Sequence, residues 1–149
     1  MYLPAIMAFL HHVAAFTVVT ALGVEVALFK PPLTAVQARR IAVTDLIFGA
    51  SATALLVIGL LRVFYFEKGA EYYFSNGFFR TKLSLFIIAA LISIYPTIVF
   101  LSWKKPLKSG SAPAVSEAQR TRARLCMMLE LTAILGILFC APFMARGYG

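Results

Sequence analysis

Four separate runs of this chain stay apolar for roughly twenty residues or more, the length an α-helix needs to cross bilayer hydrocarbon. They read as helices over about 3–29, 41–66, 78–103 and 119–145. Lys30-Pro31-Pro32 stops the first, because proline has no amide proton with which to continue a helix. Pro96 falls inside the third and predicts a kink. No run alternates as a membrane strand does, and an open sheet would leave edge amides unsatisfied in lipid. The reading is an all-α integral membrane protein, one four-helix up-down bundle over 1–149 with short loops. Composition agrees, with 61% hydrophobic and 13% charged residues, against about 45–50% and 25% in soluble domains. The net charge of +8 would suit a nucleic-acid binder, yet most of the charges bracket the apolar runs. The expected partner is therefore the lipid bilayer and not nucleic acid.

The placement of those charges sets an orientation, since Lys and Arg in short loops stay on the cytoplasmic side. Lys30, Arg39 and Arg40 lie between the first and second runs. Lys104, Lys105 and Lys108 follow the third, and Arg120, Arg122 and Arg124 open the fourth. The second loop is balanced, with Glu67 and Glu71 against Lys68 and Arg80. Both termini are then expected on the non-cytoplasmic side. The start, Met1-Tyr2-Leu3-Pro4, lacks a basic leader, so the first helix reads as retained. The Pro-, Ser- and Gly-containing stretch 105–116 reads as a cytoplasmic linker. Cys126 and Cys140 fall on one helix about 21 Å apart, too far to bridge each other.

Sorting ionisable residues by depth gives two polar layers. In the outer half, His11 and His12 lie about 12 Å below the start of the first helix. Arg62, Arg80, Lys82 and Arg146 come from the other three helices toward the same side. The inner half holds Glu25 and Asp45 beside Arg39 and Arg40, and pairing among these would staple the first two helices together. Glu130 falls near mid-membrane, where an acid is costly and points to function or to a partner on another helix. Small residues recur at helical spacing beside these groups: Gly49, Ala52 and Gly59 below Asp45, Ala89 and Ser93 below Lys82, and Ala123 and Ala133 around Glu130. They read as helix-packing seams.

The outer layer supports the sharper chemistry. Imidazole in a helical membrane bundle is a common axial ligand for haem iron, and haem propionates need cations or donors. Arg62, Lys82 and Arg146 are the candidate propionate partners, and His11 and His12 the candidate iron ligands. Successive side chains on a helix differ by about 100°, so the two histidines cannot serve one iron from the same side. His11 lies within about 40° of Glu25 around the helix, which makes it the better ligand if polar residues share the interior.

Several segments carry a resemblance: Leu10-His11-His12-Val13-Ala14-Ala15-Phe16, Gly59-Leu60-Leu61-Arg62-Val63-Phe64-Tyr65 with Glu67-Lys68-Gly69-Ala70, Lys82-Leu83 and Ala145-Arg146-Gly147. Over nearly its whole length the chain resembles an uncharacterised bacterial family of small four-helix integral membrane proteins. More distantly it is similar to the haem-b-containing membrane protoporphyrinogen oxidases and to the copper-resistance D-type membrane domains. The first of these distant likenesses implies an essential first-helix histidine, at His11 or His12, and a lysine-leucine pair early in the third helix, at Lys82-Leu83. This chain lacks the tryptophan-rich surroundings of that lysine, with Phe79-Arg80-Thr81 before it. For copper, His11 and His12 form the only suitable cluster.

The expectation is a haem-b-binding protein of oxidoreductase or electron-transfer type in the bacterial inner membrane. Its partner would be a quinone or a porphyrin-like substrate. The alternatives are a non-enzymatic subunit or scaffold, as a homo-oligomer or in a larger membrane complex, and a small metal transporter. Topology is directly testable by single-cysteine labelling at Ser109 and Gly149 after both native cysteines are replaced. A membrane-impermeant reagent on intact cells is expected to reach only position 149; reaction at position 109 alone would invert the orientation.

Overall fold

Pro4 in the first turn starts a helix cheaply, since its missing amide proton would have had no partner there. That helix, α1, spans Leu3–Leu28 in a computed structural model that describes residues 2–148. The next begins at a capping box. Thr34 Oγ1 accepts from the Gln37 amide at 3.2 Å, and Gln37 Oε1 accepts in return from the Thr34 amide at 3.0 Å. Helix α2 therefore spans Ala35–Leu61, beginning six residues before the apolar content suggests. Arg39 and Arg40 belong to its second turn and not to a loop. A π-helical turn, Arg62–Phe66, extends it.

A short helix α3, Ala70–Ser75, caps the outer end. Asn76 Oδ1 then accepts from the Phe79 amide at 3.0 Å and starts α4, Gly77–Ser102. Pro96 sits within α4 without interrupting it. One turn, α5 at Lys104–Lys108, takes the first part of the expected linker. A second capping box, Ser116 with Gln119, starts α6 at Glu117–Ala145. The four long helices, two of them prolonged by their flanking turns, are each long and apolar enough to cross a membrane.

The bundle is built from two hairpins. Helix α1 packs most closely on α2, and α4 on α6; the hairpins meet more sparsely through α2 with α4 and α1 with α6. Gly136 shows how tight the second hairpin is, because a Cβ there would stand 2.9 Å from Leu85 Cδ1. Large apolar side chains such as Phe9, Phe16, Leu46, Leu91 and Phe139 remain exposed. In a bilayer that surface meets acyl chains at no cost.

Both ends of the bundle are tied. At the inner end, Phe29 stacks on Trp103 at 6.1 Å between ring centroids, and Phe100 packs on both rings. At the outer end, the Asn76 side-chain amide donates to the Tyr148 carbonyl at 2.9 Å, and Phe78 stacks on Phe143 at 5.2 Å. The inner cluster joins the two hairpins through Trp103, which is the chain's single tryptophan and only 2% exposed. Its fluorescence is expected to be blue-shifted and shielded from aqueous quenchers. Trp103→Ala should cost about 3–5 kcal/mol in equilibrium unfolding. Emission at the wavelength of a water-exposed tryptophan would contradict this packing.

Candidate functional site

The outer layer assembles on a glycine. Gly59 of α2 faces α1 so closely that a Cβ would stand 3.2 Å from His11 Cε1 and 3.6 Å from His11 Nδ1. The half-buried His11 ring is thereby turned into the bundle. Its Nδ1 is buried with no hydrogen-bond partner among the described residues. His12 is turned outward and exposed, with Nδ1 spent at 2.7 Å on the Ala8 carbonyl of its own helix. The rings meet edge to face at 6.3 Å.

Lys82 of α4 and Arg62, at the end of α2, lie within electrostatic reach of His11 and of each other. Three helices thus contribute to one basic cluster, with Cys140 of α6 at its edge. Lys82 is half-buried and makes no hydrogen bond or ion pair among the described residues. Arg62 donates from Nη2 to Glu67 Oε1 at 2.6 Å, while its Nε stays buried and unpartnered. Arg146 lies exposed at the C-cap of α6, and none of the contacts joining His11, Arg62 and Lys82 includes it.

Glu67 lies just beyond the π-helical turn, in the loop where the sequence places it, and its pairing with Arg62 is what the sequence does not show. The pair spans the π-helical turn, Arg62 at its start and Glu67 just past its end, and the wider i to i+5 hydrogen bonding of that turn departs from α-helical spacing. Asn76 was likewise missed, although an Asn immediately before a Gly-led apolar run is an N-cap signal.

The inner layer differs from expectation. Arg39 and Arg40 do not neutralise Glu25 and Asp45. Arg39 donates to the Leu107 carbonyl at 3.2 Å, and both arginines line an outward-opening groove with Val24, Leu28, Val36 and Val43. Starting α2 at Ala35 sets these arginines at the headgroup end of the helix, where their long side chains reach water. The acids face one another instead. Glu25 of α1, Asp45 of α2 and Glu130 of α6 are 2%, 8% and 1% exposed, and all three lie within mutual electrostatic reach.

Helix α4 supplies the fourth member, because Thr97 Oγ1 donates to Asp45 Oδ1 at 2.8 Å. One polar side chain from every long helix therefore meets at this level. Glu25 Oε1 and Glu130 Oε1 are buried without a partner among the described residues. Beside them opens a cavity of about 300 Å³, lined by residues of all four helices including Val18, Phe48, Ala52, Phe86, Thr97 and Glu130. Neither histidine lines it. Among the described residues no three His, Cys, Asp or Glu side chains are placed to hold a metal ion together.

Residues 3–149 match the sequence pattern of a family described as predicted membrane protein, DUF2214. The chain belongs to that family. No curated protein and no solved structure matches it. Within this DUF2214 member, the Thr97–Asp45 hydrogen bond links the two hairpins directly in the acidic layer. Thr97→Val keeps the shape but strands a buried carboxyl oxygen, and is expected to cost about 1–3 kcal/mol in mixed-micelle unfolding. Unchanged stability would mean that water or another group takes over the bond.

Proposed function

We propose that this chain is a haem-b-binding membrane protein of oxidoreductase or electron-transfer type, with His11 as an axial ligand. The observation that carries the reading is the half-buried His11 ring, with neither ring nitrogen hydrogen-bonded among the described residues and two cations from other helices beside it. Gly59 holds the Cε1 and Nδ1 edge of the ring against α2. Nε2, which makes no hydrogen bond among the described residues, is then the nitrogen free to ligate. Haem would supply one-electron chemistry.

Lys82 suits a carboxylate best, since it has no hydrogen-bond or ion-pair partner among the described residues. Arg62 can share its guanidinium between Glu67 and a second acceptor, as its five donors allow. The same pair would recognise the carboxylates of a porphyrin-like substrate; a quinone redox partner is the alternative. The setting we propose is the bacterial inner membrane, with both termini non-cytoplasmic.

A second reading, a non-enzymatic subunit or scaffold, draws support from the Arg62–Glu67 ion pair, which already gives one cation a structural role. Metal transport draws none from the ligand geometry. Haem-to-protein ratios from a pyridine haemochrome assay distinguish the first two. His11→Ala is expected to lose most of the haem and His12→Ala to keep it, because His12 points away and is already bonded to Ala8. Lys82→Ala should lose haem only in part, since an anchoring contact is one of several. Equal haem in all three folded variants would overturn the site.

A further inference from the structure

The acidic layer has a property that the haem reading does not use. Three carboxyl groups share a buried level, and among the described residues no lysine, arginine or histidine is an electrostatic partner of theirs. Glu130 is the one that matters for access. It is 1% exposed, its Oε1 has no partner among the described residues, and its side chain forms part of the cavity wall. A buried acceptor left without a donor is costly, and more so in a low-dielectric interior. The rest of the cavity is apolar apart from small hydroxyl side chains such as Thr97 and Ser93, with Val18, Ala52 and the rings of Phe48 and Phe86 on its walls. Leu56 and Leu138, which also line it, are exposed on the lipid-facing surface.

We infer that the seam between the two hairpins binds a small lipophilic amine cation, its ammonium group donating to Glu130 and its apolar body filling the cavity. Each feature of the site selects one feature of such a molecule. The unpartnered Glu130 oxygen requires a donor, and the absence of a basic side chain among these acids' partners leaves positive charge to the ligand. Glu25 and Asp45 lie within electrostatic reach of Glu130, and a hydrogen bond from an ammonium to a carboxyl oxygen gains strength away from water. The apolar walls reward a hydrocarbon body, and the mouth at exposed Leu56 and Leu138 admits it from the acyl-chain region. A volume of about 300 Å³ lies at the small end of ligand cavities, which suits a single aromatic ring. Among the described residues these three acids are not grouped to hold a metal ion together.

The test uses the full chain in phosphatidylcholine nanodiscs and isothermal titration calorimetry, with empty nanodiscs subtracted. The probes are 2-phenylethylamine and its neutral isostere 2-phenylethanol. Saturable binding of the amine is expected, with the alcohol about tenfold weaker or worse, because only the amine brings a charge-assisted hydrogen bond. Glu130→Gln should weaken the amine about tenfold and leave the alcohol unchanged; Asp45→Asn should weaken the amine less. The proposal is overturned by an absence of saturable amine binding in the parent protein. Equal affinity for amine and alcohol, or amine affinity unchanged in folded Glu130→Gln, overturns it as well. The parent comparison needs no variant, so the test holds even where a substitution disturbs folding.

Discussion

Lipid cannot hydrogen-bond, and every feature of this bundle answers to that constraint. Helices satisfy their own backbones, which leaves the ionisable side chains as the problem to be solved. The chain sends most of them to the helix ends, where Lys104, Lys105, Lys108 and the arginines of α6 reach headgroups or water. The remainder turn inward at two levels. At the inner level, Glu25, Asp45, Glu130 and Thr97 come one from each long helix. That shared level lets two hairpins with few other contacts settle against each other in one register.

The outer level depends on a different device. His11 reaches the interior because Gly59 carries no side chain to push it away. Lys82 and Arg62 then surround it from α4 and α2. A basic cluster and an acidic cluster thus occupy opposite halves of the same bundle, with the cavity beside the acidic one. The membrane family to which the chain belongs is consistent with both levels lying inside a bilayer.

Much of this was legible in the sequence. Apolar run length yields all four spanning helices, and the 100° step between residues separates His11 from His12 as the structure does. The small-residue seams also point the right way at Ala89, Ala123 and Ala133, which are buried, although Gly49 of the α2 seam remains exposed. What was not legible depended on polar detail overriding hydropathy. Thr34 and Gln37 start α2 early through two hydrogen bonds that no hydrophobic window detects. That shift carries Arg39 and Arg40 outward, so the expected pairing with Glu25 and Asp45 does not form. Thr97 looks like an ordinary helix residue until the fold sets it against Asp45. Arg62 and Glu67 pair across a π-helical turn, and sequence spacing alone offers no reason to expect one.

The central claim is that the inward-facing outer cluster, His11 with Lys82 and Arg62, is a haem site. The most direct measurement is the absorption spectrum of the full chain purified from haem-replete cells, recorded oxidised and then reduced with dithionite. The account predicts a Soret band in the oxidised protein and resolved α and β bands on reduction, at near one haem per chain. A colourless, monodisperse and correctly folded preparation would contradict it.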